Sequence, residues 1–182
     1  MEKYVRIVQK LTSLNIKLVA VDFDQTIINM HTCGVWQFSS KSLVPRVRPS
    51  FKQFFKAALS CGDLHVAIVT KSPQISLIRE VMEQALPECD TSRIHYRGAD
   101  GEWKEVKGVS KEGKQQHIQS VIQQIEKDHK VKIKREEVIL LDDDETNISE
   151  ARNSKMKTLL VKGDDSLDEL LEARYWSQVS SL

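Results

Sequence analysis

Cysteine, glycine, proline and long apolar runs are scarce in this sequence, and each shortage excludes a class of protein. Three cysteines without a C-x-x-C pair argue against a disulfide framework and against a thiolate zinc site. The 7 glycines and 4 prolines form no repeat or low-complexity linker. No apolar run approaches the roughly 20 residues that span a bilayer, and the N-terminus lacks a signal-peptide core. We therefore expect a cytoplasmic protein in a reducing compartment, with no membrane partner.

Charge of one sign is not in excess either. The 27 lysines and arginines nearly balance the 26 aspartates and glutamates, which gives a formal net charge of +1. This balance provides no basic field for nucleic acid, so no nucleic-acid partner is indicated. Hydrophobic residues make up 40% of the chain, enough for one sizeable core. The sequence predicts a single domain over residues 1–182 and carries no signal for an oligomeric state.

Short apolar segments of strand length alternate with segments of helical periodicity along the chain. Between the strands, apolar residues recur at helical spacing, as in Phe51, Phe54, Phe55 and Ala58. Nearly continuous apolar strands are typical of a parallel sheet that crossover helices cover on both faces. We therefore predict a three-layer, doubly wound α/β fold. The predicted strands are residues 16–23, 64–69, 94–97, 138–141 and 158–161.

Two local signals predict where helices begin. Ser72 followed by Pro73 predicts an N-cap and a first-turn proline for the helix after the second strand. Ser166 and Glu169 have the spacing of a capping box, which predicts the start of the last helix.

Polar side chains follow three of the predicted strands, at the end where ligands bind in doubly wound sheets. Asp22 and Asp24 follow the first strand, Thr70 the second, and Asp142 and Asp143 the fourth. Carboxylates gathered in one crevice must take up protons or hold a cation. Oxygen-only ligands favour a hard ion, and Mg²⁺ fits best because it uses few carboxylates and completes its shell with water and phosphate.

Such a crevice has the parts for phosphoryl transfer. Asp22 is the candidate nucleophile, and Asp24 can protonate the leaving oxygen and later deprotonate water. Thr70 and Lys71, expected near a helix N-terminus, supply a hydroxyl and main-chain amides for the phosphate. Lys114 is the candidate ammonium, and Lys111 competes with it for this role.

Four segments resemble the motifs of the haloacid dehalogenase superfamily, and they occur in that family's order. D-F-D-Q-T at residues 22–26 resembles the first motif, D-x-D-x-T, and V-A-I-V-T at residues 66–70 resembles the second. Lys114 is similar to the third motif, and L-L-D-D-D-E-T-N at residues 140–147 to the fourth. The D-x-D-x-T variant is usual among the phosphatases and phosphotransferases of the family.

Within the superfamily, the chain most resembles the small magnesium-dependent phosphatases that lack a cap domain. The resemblance lies in V-R-P at residues 47–49, G-K-x-x-H at residues 113–117 and the D-D-x-x-x-N ending of the fourth motif. The predicted helices and strands between the motifs leave no room for a cap. By resemblance, an open site implies a bulky phosphorylated substrate such as a phosphoprotein or an oligonucleotide end, or a partner that closes the site. Residues 29–48, with His31 and Trp36, would be the flap beside it.

The resemblance also implies roles for individual residues. Asp22 would be phosphorylated and Asp24 would be the acid and base. Mg²⁺ would sit on Asp22, the carbonyl of Asp24 and Asp143. The extra Asp144 leaves the register open between Asp142 and Asp143 as the direct ligand, and Asp143 is favoured because it lies four residues before Asn147. The supporting residues would be Thr26, Asp142 and Asn147.

Two alternatives from other classes use similar residues. A signalling receiver domain also has a phosphorylatable aspartate, an acidic pair, a threonine and a lysine on a doubly wound sheet. In a receiver, however, the acidic pair comes first and the lysine last, whereas here D-x-D comes first and Lys114 precedes the acidic pair. The second alternative is a catalytically silent binding module of the same fold. The presence of every expected functional side chain disfavours it.

Overall fold

A five-stranded parallel sheet forms the centre of the fold in the computed structural model, which describes residues 1–179. The strands are β1 (Leu18–Val21), β2 (His65–Val69), β3 (Ile94–Arg97), β4 (Val138–Asp142) and β5 (Lys157–Leu160). Their order across the sheet is β3-β2-β1-β4-β5, and every neighbouring pair is parallel. The chain winds from β1 outward to β3 and then returns to the other side of β1. The winding therefore reverses between β1 and β4, and a crevice opens at such a reversal.

Helices cover both faces of the sheet, as predicted. Because side chains alternate along a strand, Val19 and Val21 pack in one apolar cluster with the helices of residues 2–13, 49–59 and 75–85. Leu18 and Ala20 pack in another cluster with the helices of residues 115–129 and 145–153. None of the helices within residues 1–179 is long and apolar enough to cross a membrane. The helices in this part of the chain are α1 (Glu2–Ser13), α2 (Pro49–Leu59), α3 (Ile75–Ala85), α4 (Gln115–His129), α5 (Glu145–Asn153) and α6 (Ala173–Val179).

The predicted start of α3 at Ser72 is wrong by two residues. The helix begins at Ile75, and Gln74 is its N-cap. Ser72 lies instead in the loop between β2 and α3, where its carbonyl accepts a hydrogen bond of 3.1 Å from the amide of Ala99. The Ser72 hydroxyl accepts from the amide of Gln74 at 3.2 Å, so it closes a tight turn before the helix.

The predicted capping box at Ser166 is also wrong. The Ser166 hydroxyl accepts hydrogen bonds from the amides of Lys162 and Gly163, which precede it, at 2.9 and 3.0 Å. A 3-10 helix, Ser166–Leu171, begins there with Asp165 at its N-cap, and α6 follows as a separate helix. The Ser166 hydroxyl therefore accepts hydrogen bonds from the loop that precedes it and does not cap the helix.

The flap, residues 29–48, connects the turn after β1 to α2. Its ends are joined by an antiparallel bridge between Ile28 and Val47. The amide of Asn29 donates to the carbonyl of Arg46 at 2.9 Å, which continues the pairing by one residue. Helical structure in the flap is limited to two single turns, Ser40–Ser42 and Val44–Arg46.

Arg48 fastens the base of the flap to the turn that follows β1. Its guanidinium donates to the carbonyls of Gln25 and Thr26 at 3.0 and 3.1 Å and forms a salt bridge of 3.1 Å with Asp164. Gln25 has a φ of +57°, in the left-handed region that side chains other than glycine seldom adopt. The turn therefore adopts a costly backbone conformation next to Asp24, and the arginine holds its carbonyls in place.

Gly98, directly after β3, lies where a larger residue does not fit. A Cβ atom at this position would be 2.5 Å from the carbonyl oxygen of Ser72 and 2.5 Å from Cδ1 of Ile75. We expect Gly98→Ala to lower the free energy of unfolding by about 1–3 kcal/mol, the usual cost of overpacking. Urea denaturation measures this loss.

Gly62→Ala is the matched control, because a Cβ atom at Gly62 meets nothing within 4 Å. This variant should stay within about 0.5 kcal/mol of the wild type. Equal losses in the two variants would contradict the crowding at Gly98.

Candidate active site

An open cleft of about 450 Å³ lies at the carboxyl ends of β1, β2 and β4. It is the crevice that the reversed winding predicts. Thr26, which is fully buried, lies beneath it and contacts the cleft residue Asp143. The other predicted site residues all line the cleft: Asp22, Asp24, Thr70, Lys71, Lys114, Asp142, Asp143 and Asn147.

Asp22 forms the closest charged contact in the cleft. Its amide donates to the carbonyl of Leu141 at 2.9 Å, which extends the pairing of β1 with β4 by one residue. Its side chain is 10% exposed, and Oδ1 lies 2.6 Å from Nζ of Lys114, a side chain that is only 2% exposed. The ammonium also donates to the carbonyl of Val69 at 3.1 Å. Lys114 is thus fixed between the ends of β1 and β2.

Asp22, Asp142 and Asp143 bring three carboxylates together, each with an oxygen within 4.8 Å of the others. The pKa of Asp22 is raised to about 7, chiefly by burial: the charge of Lys114 opposes this rise, and the neighbouring Asp142 and Asp143 contribute to it. Burial also raises the pKa of Asp142. One ammonium therefore does not compensate three ionised carboxylates, and the site favours additional positive charge.

Asp142 and Asp143 have different surroundings, which bears on the register of the fourth motif. Asp142 is fully buried, and Asn147 Nδ2 donates to its two oxygens at 3.0 and 3.1 Å while the Asp144 amide donates to Oδ1 at 2.9 Å. Asp143 is partly exposed and accepts a 3.1 Å hydrogen bond from the Thr26 hydroxyl at Oδ1. Asp143 therefore has the carboxylate with more capacity for a further ligand, and Asp142 is held by Asn147.

Asp144 has a separate role as the N-cap of α5. Its Oδ1 accepts a hydrogen bond of 2.7 Å from the amide of Thr146. Burial disfavours the charged form, but hydrogen bonds from Thr146 and the positive charge of Lys71 outweigh this effect and lower the pKa of Asp144. Asp144, the third aspartate of the run, therefore serves to cap the N-terminus of α5.

The two candidate lysines lie in different environments. Lys114 is buried against Asp22, whereas Lys111 is 72% exposed and pairs with Glu105 at 2.6 Å. The geometry favours Lys114 as the lysine that faces a phosphate. Lys71 is an exposed residue at the rim of the cleft.

Thr70 has a hydroxyl prepared to donate into the cleft. It is 3% exposed, and its Oγ1 accepts a hydrogen bond of 3.1 Å from the amide of Ser72. Within residues 1–179, neither the hydroxyl proton of Thr70 nor the amide proton of Lys71 has an acceptor. Both donors are available for a phosphate oxygen, although α3 begins farther away than the sequence predicts.

Asp24 is held by the flap through a residue that the sequence analysis missed. The amide of Thr32 donates to Oδ2 of Asp24 at 2.9 Å, and the Thr32 hydroxyl lies 3.0 and 2.8 Å from its two oxygens. Nδ1 of His31 lies 2.9 Å from the same Oδ2 and 3.0 Å from the amide of Cys33. This nitrogen donates to Asp24 when protonated and accepts from Cys33 when not. No local spacing in the sequence indicates the contact with Thr32.

The chain matches no known protein-family model and shows no significant similarity to a curated protein. Its function is therefore inferred from the residues and geometry of the cleft.

The raised pKa of Asp22 predicts how its removal changes stability with pH. Between the ordinary value of 3.8 and the folded value of about 7, the folded protein binds more protons at this group than the unfolded chain. The wild type therefore loses stability relative to Asp22→Asn as pH rises through that interval. We expect the unfolding free energy of Asp22→Asn, minus that of the wild type, to rise from about pH 4 to about pH 7 and then level off. Urea denaturation in EDTA measures this difference.

Asp144→Asn is the control with the opposite sign. Because the pKa of Asp144 is lowered, the wild type gains stability relative to this variant as pH rises through the ordinary range of an aspartate. The two variants should therefore show opposite slopes, and a flat or falling difference for Asp22→Asn would contradict the charge balance described for the cleft.

Proposed function

We propose that this chain is a Mg²⁺-dependent phosphomonoester hydrolase of the haloacid dehalogenase superfamily, in the branch without a cap domain. The observation that carries the proposal is the buried carboxylate of Asp22, at 2.6 Å from Lys114 and beside Asp142 and Asp143. These side chains come from the first, third and fourth motifs of the family, and Thr70 of the second lines the same cleft. Four segments that are distant in sequence thus contribute to one site.

The donor set of the cleft fits Mg²⁺. Its ligands are oxygens, and burial raises the pKa of Asp22 and Asp142, as expected of a site completed by a cation. Asp22, Asp143 and the main-chain carbonyl of Asp24 would hold the ion. When bound, it would neutralise carboxylate and phosphate charge so that an anionic nucleophile and an anionic substrate can approach each other.

Asp22 is the proposed nucleophile. Lys114 Nζ donates to Oδ1, which leaves Oδ2 to form the bond to phosphorus as the bond between phosphorus and the leaving oxygen breaks. The product of this step is an aspartyl-phosphate on Asp22 and a free alcohol or phenol. Lys114, Thr70 and the Lys71 amide would donate to the phosphoryl oxygens as charge develops on them.

Asp24 is the proposed acid and base. It gives a proton to the leaving oxygen in the first step and takes a proton from water in the second. The oxygen of that water attacks phosphorus, the bond to Asp22 breaks, and inorganic phosphate leaves. Thr32 orients the Asp24 carboxyl through both of its oxygens, so the flap contributes directly to this proton transfer.

An open cleft suits a bulky substrate, and we assign a phosphoprotein to it. Between Asp24 and Thr70 the chain forms only the flap, α2 and β2, with no additional domain over these described residues. Val35 and Phe38 of the flap are 66% and 71% exposed, and the cleft residues Cys33 and Gly34 lie in the same flap. Exposed apolar side chains in a segment that also lines a site are suited to contact residues that flank a phosphorylated side chain.

The cysteines support the proposal of a reducing, cytoplasmic compartment. All three are free thiols in the structure: Cys33, Cys61 and Cys89. Disulfides are rare in cytosolic proteins, so free cysteines are the expected state there.

Hydrolysis of para-nitrophenyl phosphate tests the proposed activity. We expect turnover with Mg²⁺, none in EDTA, and a loss of at least about a thousand-fold in Asp22→Asn because the nucleophile is removed. Circular dichroism of the variant verifies that it is folded. Activity that persists in EDTA or in Asp22→Asn would refute the mechanism. Uptake of a single phosphoryl group without turnover would indicate a receiver-like domain instead.

A comparison of two lysine variants tests the assignment of the phosphate-binding residue. Lys114→Gln removes the ammonium beside Asp22, and we expect a loss of about 100-fold to 1000-fold in kcat/KM, as for other groups that stabilise transition-state charge. Lys111→Gln is the matched control and should keep wild-type activity, because Lys111 pairs with Glu105 on the surface. Equal effects of the two substitutions would show the assignment to be wrong.

A further inference from the structure

Three histidines gather at the edge of the sheet opposite the cleft. His65, His95 and His129 each offer a ring nitrogen, and these nitrogens lie within 4.8 Å of one another. The ring centroids are 5.0 Å apart for His65 and His129, 6.1 Å for His65 and His95, and 6.5 Å for His95 and His129. All three rings border a cavity of about 310 Å³.

The topology of the sheet explains why residues so distant in sequence meet. His65 opens β2, and His95 on β3 pairs with Ala67, two residues farther along β2. Alternation along the strands places His65, Ala67 and His95 on the face that α4 covers. The helix α4 runs back along that face and ends at His129.

The cluster is chemically ready to bind a cation. Burial and, to a smaller extent, the nearby rings of His129 and His95 together lower the pKa of His65 to about 4. Burial also lowers the pKa of His95. The rings of His65 and His95 are therefore neutral near pH 7, so their lone pairs are free to act as ligands.

We propose that His65, His95 and His129 form a binding site for a transition-metal ion, with Zn²⁺ as the ion it suits best. Three imidazoles with an open side match the ligand set in which zinc keeps one position for water or a further ligand. Imidazole donors select zinc, copper or nickel over Mg²⁺, whose ligands are oxygens. The site is therefore distinct in chemistry from the acidic cleft and does not depend on the proposed phosphatase activity.

Neighbouring side chains support the geometry of the cluster. Gln124 on α4 is a polar neighbour of the His95 ring, and its Oε1 accepts a hydrogen bond of 2.6 Å from Arg97. A second partner of this kind fixes which ring nitrogen of a ligand faces the metal. The positive charge of Arg93 opposes a cation, but its guanidinium is directed to the carbonyls of Leu59 and Cys61.

Titration of the full-length protein with Zn²⁺ tests this site. Calorimetry in excess Mg²⁺, which competes for the acidic cleft, should show one zinc ion bound per chain. His129→Ala and His65→Ala should each weaken binding by at least about 100-fold, and Gln124→Leu by about 10-fold, since second partners of metal ligands contribute 10-fold to 100-fold. His129 is exposed, so its variant is the one least prone to misfold.

Two variants control for other zinc sites. His31→Ala removes a histidine outside the cluster, and Asp143→Asn weakens the acidic cleft; both should keep the wild-type affinity for zinc. Zinc should also raise the melting temperature of the wild type and of both controls, but not that of His129→Ala, because a bound ion stabilises only the folded state. A flat titration of the wild type, or an equal loss in His31→Ala and His129→Ala, would overturn the proposal.

Discussion

The ion pair between Asp22 and Lys114 is the contact on which the rest of the cleft depends. Both side chains are nearly excluded from water, and burying two charges costs more than a single pairing regains unless other groups contribute. Here the carbonyl of Val69 takes a second hydrogen bond from the ammonium, while Asp142 and Asp143 add negative charge around it. A core built only for stability would fill this position with apolar side chains. The arrangement is understandable if the nearby charge is needed for chemistry.

One helix connects this ion pair to the histidine cluster at the other edge of the sheet. The helix α4 follows Lys114 and ends at His129, and its 15 residues span about 22 Å at 1.5 Å per residue. Crossover helices of a parallel sheet run antiparallel to the strands, so their N-termini lie at the carboxyl ends of the strands. The same constraint that places Lys114 beside Asp22 thus places the last residue of α4 beside the first residue of β2.

The fold was predictable from the sequence because burial on both faces makes the strands nearly continuous apolar runs. The starts of α3 and of the last helix were not, since the hydroxyls of Ser72 and Ser166 bond to turns outside those helices. The position of a serine in the sequence suggests a helix cap, but it does not determine which main-chain amide will donate to the serine hydroxyl.

Some residues of the candidate site could likewise be predicted from the sequence, and others could not. The cluster of carboxylates was predictable because strand ends converge, but the difference between Lys114 and Lys111 lies only in burial. Thr32 was missed because its contact with Asp24 depends on how the flap folds. The histidine cluster was missed for a related reason, since pairing of β2 with β3 brings together residues that look isolated in the chain.

The attachment of the flap bears on which substrates reach the cleft. Gln74 of the turn before α3 exchanges two hydrogen bonds with the main chain of Trp36, at 2.7 and 2.9 Å, and Gln84 of α3 donates to the hydroxyl of Ser40 at 2.8 Å. A closing lid would have to break these bonds and also release Asp24 from Thr32. The flap is therefore better suited to be a fixed wall that orients Asp24 than a cover that encloses a small metabolite. Under the proposed function, selectivity would then arise from the surface that the substrate presents around its phosphate.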